Sequence, residues 1–260
     1  MQVGETLQFK NRRTNKVIFN SPGLFGSNGG LQEGLVCFEL NRMYGYSDRK
    51  GRIVIEPKFP LAKKFSEGLA AVVMEHRWGF IDRSGKTVIP PTFDDADEFS
   101  EGLAAVRTLG RFGFIDTSGS QKIPPTFTST IRFHEGLCPV FIDEKWGFID
   151  KAGKMVIAPQ FENAGPFSPG RAAVKSGSLW GFIDHQGTMI IPPRFSQVGS
   201  IRKSPFSPGF SENMAAVREN DLMGFIDLQG NVIIPFQFDN AQSFSAELPG
   251  FAIPNLDASG

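Results

Sequence analysis

Three histidines and two cysteines are the side chains of this 260-residue protein best suited to nucleophilic or metal chemistry. A cysteine nucleophile needs a base within reach and a third group to orient that base. Cys138 has His134 four residues upstream, but no neighbouring residue would orient the pair. Cys37 and Cys138 lie far apart in the sequence, so they supply neither a close zinc-binding pair nor a disulfide framework. Acidic residues peak at Asp94-Asp95-Ala96-Asp97-Glu98, where carboxylates could exchange protons if a cleft enclosed them. Asp82-Arg83-Ser84-Gly85 shares its Asp and Gly with a calcium loop but lacks that loop's further carboxylates. Gly26-Ser27-Asn28-Gly29-Gly30 is glycine-rich without the Lys-Ser/Thr and the following helix of a phosphate loop. These residues assign no catalytic, cofactor-binding or metal-ligating role.

Composition narrows the field further. The protein carries 27 Lys+Arg and 27 Asp+Glu, so its formal net charge of 0 supplies no general attraction for nucleic acid or an acidic membrane. Lys10, Arg12, Arg13 and Lys16 make the N-terminal segment locally basic, but no stripe of basic and aromatic residues extends it. With 40% hydrophobic residues the sequence can bury a core. No apolar run reaches the roughly 18–20 residues that cross a bilayer, and the same basic residues interrupt any signal-peptide centre. The expectation is a soluble, cytoplasmic protein that takes neither nucleic acid nor membrane as partner and needs no cofactor.

The elements that would position any site come from a repeat. Aromatic–Gly pairs stand at Tyr44-Gly45, Trp78-Gly79, Phe112-Gly113, Trp146-Gly147 and Trp180-Gly181, each 34 residues after the last. Met223-Gly224 follows after 43, one period plus nine. Around each pair recur an EGLAAV-like run, an FID, a turn Gly, a VIPP and three small or aromatic positions, as at Phe93, Ala96 and Phe99. RWGFIDRSGKTVIPPTFDDADEFSEGLAAV at 77–106 and KWGFIDKAGKMVIAPQFENAGPFSPG at 145–170 show the motif in full. These copies resemble the WG-containing (KWG) repeat family, which is widespread in bacterial proteins. The resemblance implies no shared catalytic residues, and the tryptophan is replaced here by Tyr44, Phe112 and Met223. The sequence divides into an N-terminal cap at 1–32, six repeats at 33–254 and a tail at 255–260. Phe9 to Ile18 imitates a degraded further copy, and Pro249-Gly250-Phe251-Ala252-Ile253 imitates a last EGLAAV.

Each unit reads as three short strands: Leu69 to Val72, Trp78 to Ile81, and Thr87 to Ile89 ending at Pro90-Pro91. Asp82 and Gly85 close the second hairpin, the carboxylate bonding backbone two residues on and the glycine supplying positive φ. The period of two puts Trp78 and Phe80 on one face of their strand, Gly79 and Ile81 on the other. The three-residue spacing of Phe93, Ala96 and Phe99 suggests a tight helical turn in the connector. One unit alone cannot offset its ordering entropy, so neighbours must stack. The predicted fold is all-β: tandem 34-residue three-stranded hairpin repeats in an open twisted array, with a small-bladed propeller as the alternative.

The repeat also serves as an internal control for function. His76, His134 and His185 fall at positions that vary from copy to copy, and both cysteines replace alanines. The feature that breaks the symmetry is the nine-residue insertion near 196–211, SQVGSIRKSPFSPGFS. Pro205 to Gly209 copies Pro166 to Gly170, so either Phe206 or Phe210 fills the usual connector slot and the other is surplus. A surplus phenylalanine beside two cations on a lengthened loop makes Arg202, Lys203, Phe206 and Phe210 the candidate partner contacts. The expected function is a non-catalytic scaffold for protein–protein interaction. The alternative is a glycan or cell-envelope module with aromatic slots between repeats.

Overall fold

A computed structural model describes residues 7–10, 17–21, 32–199 and 209–239. They hold 24 strands and no helix. Backbone contacts divide the protein into two units, Met1–Thr128 and Ser129–Gly260.

In the first unit, β1 (Leu7–Lys10), β2 (Val17–Ser21), β3 (Leu35–Leu40), β4 (Met43–Asp48) and β5 (Ile53–Phe59) form one sheet in sequence order. The next sheet holds β6 (Leu69–Met74), β7 (Arg77–Asp82) and β8 (Thr87–Phe93). A third holds β9 (Asp95–Ala96), β10 (Leu103–Thr108), β11 (Arg111–Asp116) and β12 (Gln121–Phe127). The second unit repeats the plan. Its first sheet is β13 (Ser129–Thr130), β14 (Leu137–Ile142), β15 (Lys145–Asp150) and β16 (Met155–Phe161). β17 (Asn163–Phe167), β18 (Ala172–Ser176), β19 (Leu179–Ile183) and β20 (Met189–Phe195) follow, then β21 (Gln197–Val198), β22 (Ala215–Glu219), β23 (Leu222–Ile226) and β24 (Val232–Phe238). All pairings are antiparallel, and none of the six sheets closes on itself. The fold is therefore all-β and built from tandem hairpins, as the periodicity predicts. In the 1–32 segment β1 and β2 pair with each other, and Asn20 of β2 pairs with Glu39 of β3. Residues 249–253 and 255–260 lie outside the described residues.

Turn chemistry explains the hairpins. In all six Asp-x-x-Gly turns the Asp Oδ1 accepts backbone N–H bonds from the second and fourth following residues, as with Ser84 and Lys86 on Asp82 at 2.8 and 3.0 Å. Gly85 lies at φ +84, and an added Cβ there would come within 3.2 Å of Ile55 in the neighbouring sheet. The glycine thus serves both the turn and the sheet-to-sheet packing.

Two expectations change. β8 does not end at Pro90-Pro91: it runs to Phe93, with Trp78 opposite Phe93 and Phe80 opposite Ile89. The prolines occupy the resulting bulge, where the ladder needs no N–H from them. Nor is the connector a helical turn. Asp95 and Ala96 pair with Arg107 and Val106 as a fourth, two-residue strand, so β8 passes through the single residue Asp94 into the next sheet. β16 and β17 are joined in the same way by Glu162, and β20 and β21 by Ser196.

Alternating faces of each strand fill successive cores. Ala70, Val72 and Ile81 pack toward Tyr46, Ile55 and Phe65, whereas Leu69, Ala71 and Phe80 pack toward Ala96, Phe99 and Val106. Trp78 joins Phe80 on that second face, as predicted. Phe93, Ala96 and Phe99 converge on the same cluster, although a kinked strand rather than a helix brings them there. Burial on both faces of each sheet is what holds short strands that could not stand singly.

Candidate functional site

The aromatic–Gly pair is an architectural device. A Cβ on Gly79 would meet the Ile89 carbonyl oxygen at 2.7 Å and the Pro91 nitrogen and Cα at 2.9 Å. The equivalent carbonyl stands 2.5–2.8 Å from a Cβ built on Gly45, Gly113, Gly147, Gly181 and Gly224. Only glycine lets the proline bulge lie this close to the middle strand. The aromatic partner packs into the core. Trp146 is 8% exposed, Met223 in the same position is fully buried, and Trp78 is half-buried beneath the Lys63 ammonium at 5.6 Å. Rings held this way fit the fold's own packing better than saccharide slots.

Other polar groups are likewise engaged by the fold. Within the acidic run, Asp94 pairs with Arg77, Asp97 with Lys63 at 2.9 Å and Glu98 with Lys64 at 3.6 Å. Asp95 accepts a bond from the Ala96 N–H at 2.9 Å. The run therefore ties its own hairpin and the preceding sheet together. The turn carboxylates of Asp48, Asp82, Asp116 and Asp227 are held below the usual carboxylate range, chiefly by hydrogen bonds from residues of their own turns. Among the described residues no group of three or more His, Cys, Asp or Glu side chains is placed to hold a metal ion. No described helix is long and apolar enough to cross a membrane.

The histidines and cysteines do not converge. His76 sits exposed at a hairpin tip with φ +66. His134 belongs to a turn, its backbone exchanging bonds with Leu137. His185 stacks on Phe167 at 4.3 Å, with Nε2 3.2 Å from a Glu135 oxygen, so it is packed rather than free at its turn. Cys138 is fully buried beside the Thr130 hydroxyl at 3.2 Å. Burial pushes the Cys37 thiol up to about 12, with the Tyr46 hydroxyl acting in the opposite direction. A thiol at that value is a poor nucleophile near neutral pH.

A further recurrent group was hidden in the Glu-Gly dipeptide. Glu67 and Gly68 form a two-residue turn with φ +54 and +82, between Ser66 and Leu69. The carboxylate of one such turn accepts the Gly N–H of the next: Glu33 from Gly68 at 3.1 Å, Glu67 from Gly102 at 2.9 Å, and Glu135 from Gly170 at 2.9 Å. Recurrence of Glu beside Gly was the available sequence signal. Its geometry was not readable, because an acidic residue in a left-handed turn is uncommon.

The repeat's sequence profile coincides with these sheets. The profile of the WG containing repeat matches residues 44–75, 78–111, 112–146, 146–180, 180–206 and 223–252. The chain belongs to the WG-containing repeat family. Its defining Trp-Gly is the ring and the gap that the proline bulge requires. No curated protein matches this WG-repeat protein. Among solved structures it is similar to Kluyveromyces lactis Hsv2, at 10% identity and a TM-score of 0.52 over 83% of this chain and 81% of that one. It is also similar to dihydro-heme d1 dehydrogenase NirN in complex with DHE, at 14% identity and a TM-score of 0.49 over 88% and 61%. The Hsv2 likeness concerns the fold alone.

Against this regular background stands the insertion in the fifth WG repeat. Val198 is buried and Gly199 is tied by its N–H to the Ala216 carbonyl at 2.8 Å. The described residues resume at Gly209. Phe210 then enters the slot that Phe65, Phe99 and Phe167 occupy elsewhere. It is 3% exposed, packs 4.9 Å from the Phe182 ring, and its carbonyl accepts the Ser168 hydroxyl as that of Phe99 accepts Ser66. This removes Phe210 from the predicted contact residues: burying its ring completes a core, which a surface role would forfeit. Phe206 is thereby the surplus phenylalanine. Arg202, Lys203 and Phe206 lie outside the described residues.

Proposed function

We propose that this WG-repeat protein is a non-catalytic scaffold that binds another protein, with the inserted segment between Gly199 and Gly209 as a principal contact. One observation carries the proposal: recurrent polar groups are engaged in turns and sheet-to-sheet ties, while the sequence between Phe195 and the slot-filling Phe210 is nine residues longer than that between Phe93 and Phe99. Its sequence adds Arg202, Lys203 and Phe206, of which arginine and phenylalanine are residue types enriched at protein interfaces. A cytoplasmic location belongs to the same proposal. The aromatic-slot alternative is less well supported, because the recurrent rings face the cores.

Affinity purification of the wild type and of an Arg202→Ala/Phe206→Ala double variant, read by quantitative mass spectrometry, tests the proposal. A partner depleted at least tenfold by the double variant, with Tm unchanged, is the expected outcome. Equal recovery of every protein by the two baits would refute the inserted segment as contact. A shift in Trp78, Trp146 or Trp180 emission on adding soluble envelope glycans would favour the slot alternative.

A further inference from the structure

Three departures from the repeat fall at one place in the second unit. Where other units have Glu at the first turn position, the fifth has Pro169. Where others have Gly at the second, the sixth has Asn213, held at φ +62 beside Glu212 at φ +51. Where other units have a buried leucine, as Leu69, Leu103 and Leu137, the fifth has the half-buried Arg171. The turns themselves remain stacked, since the Ser168 hydroxyl still reaches the Phe210 carbonyl at 3.1 Å.

The consequence follows from the Glu–Gly ladder. In three other places the N–H of the second turn residue receives a carboxylate from the preceding turn, at 2.9–3.1 Å. By the same register, allowing for the insertion, the residue that would serve Asn213 is Pro169, which has no carboxylate. Asn213 is exposed, and its N–H has no acceptor among the described residues. The Arg171 guanidinium belongs to the turn stacked on this one, with Nε donating to the Leu228 carbonyl at 3.2 Å and Nη1 to the Gly170 carbonyl at 2.9 Å. Its Nη2 carries no bond among the described residues. Among the described residues, a turn built to receive a carboxylate has lost its internal one and gained a cation in the adjoining turn.

We propose that the Asn213 N–H and the Arg171 guanidinium bind a carboxylate presented by a partner protein, either an acidic side chain or a free C-terminal carboxylate. A carboxylate bound there completes the stitch that Glu33, Glu67 and Glu135 make elsewhere, with a charge-assisted bond from Arg171 added. Glu212 beside Asn213 is the neighbouring acid; the first-position glutamates of the other turns serve the turn that follows them rather than their own. This assignment goes beyond the scaffold proposal and does not depend on the inserted segment.

The test is an NMR titration of the 15N-labelled full-length protein with two probes. One is hexaglutamate blocked at both ends, which offers side chains only. The other is acetyl-pentaalanine with a free C-terminus, which offers only the terminal carboxylate. Saturable movement of the Asn213 amide with either probe supports the site and identifies the source. Arg171→Leu, which restores the residue of the other units, should weaken binding about tenfold, as loss of one charge-assisted bond implies. Pro169→Glu should supply the internal carboxylate and abolish the titration while the rest of the spectrum is retained. An Asn213 amide unmoved by both probes, or a Pro169→Glu variant that binds as well as wild type, would overturn the assignment.

Discussion

Replacing Gly79 with alanine isolates the constraint behind the Trp-Gly pair. Gly79 is not among the glycines held at positive φ, so alanine meets no conformational penalty of that kind. The penalty is steric: its methyl would lie 2.7 Å from a backbone oxygen and 2.9 Å from backbone atoms of Pro91, none of which can swing aside like a flexible side chain. Relief requires opening the bulge and moving β8 away from β7. We place the cost at about 3 kcal/mol, the upper part of the overpacking range. Gly102→Ala is the matched control. It sits at φ +86 with nothing within 4 Å of its added Cβ, so only the left-handed backbone is strained, at about 1 kcal/mol. For a protein of this size, roughly 2–4 °C per kcal/mol gives a Tm fall of about 6–12 °C for Gly79→Ala and about 2–4 °C for Gly102→Ala. Differential scanning calorimetry of the two variants side by side makes the comparison. A Gly102→Ala loss equal to or greater than that of Gly79→Ala would show that backbone conformation, not the bulge, selects these glycines.

Phe210→Ala should destabilise the protein by about 3–5 kcal/mol, as Phe99→Ala should, because both rings fill the same core slot; a Tm unchanged by Phe210→Ala would return the residue to the surface. The turn Glu75-His76 holds two non-glycine residues at φ +50 and +66, so Glu75→Asn/His76→Gly should raise stability by about 1–2 kcal/mol in urea unfolding. The turn carboxylates of Asp48, Asp82, Asp116 and Asp227 have folded-state values below their ordinary 3.8. Their stabilising effect is thus fully present above that range and is lost as pH falls through the depressed values. Thermal melts between pH 6 and 2 should show Tm falling below about pH 4, and Asn at all four positions should flatten that limb.

The parts of the fold legible in the sequence are those governed by local chemistry. Asp82 and Gly85 declare their turn because the carboxylate bonds and the positive φ are satisfied within five residues. Alternation along Arg77–Asp82 declares its two buried faces for a similar reason. Pro90-Pro91 misled because proline ends a strand only where the ladder needs its N–H, and a bulge has no such need. Phe93, Ala96 and Phe99 misled because three-residue spacing with all side chains on one side arises from a kinked strand as well as from a helical turn. At the insertion, the duplicated Pro-Phe-Ser-Pro-Gly pattern offered two phenylalanines for one slot. Only the partner ring of Phe182 and the Ser168 hydroxyl decide between them. The carboxylate turn at Asn213 was invisible for another reason: it depends on what Pro169 lacks, which acquires meaning only once Glu33, Glu67 and Glu135 are seen reaching across.

The one-residue crossing at Asp94 has an implication for how such proteins can be cut and lengthened. Since the last strand of one layer and the first strand of the next are separated by one residue, a break at Asp94 leaves both layers whole and a break a few residues to either side does not. A piece that instead begins at the EGLAAV-like run, with Glu101, would lack the β9 of its own layer. Whole-period duplications escape this difficulty wherever they start, because each new copy brings the seam with it. Growth by complete periods is therefore tolerated by the backbone itself, and engineered arrays of this type should be trimmed or extended 34 residues at a time.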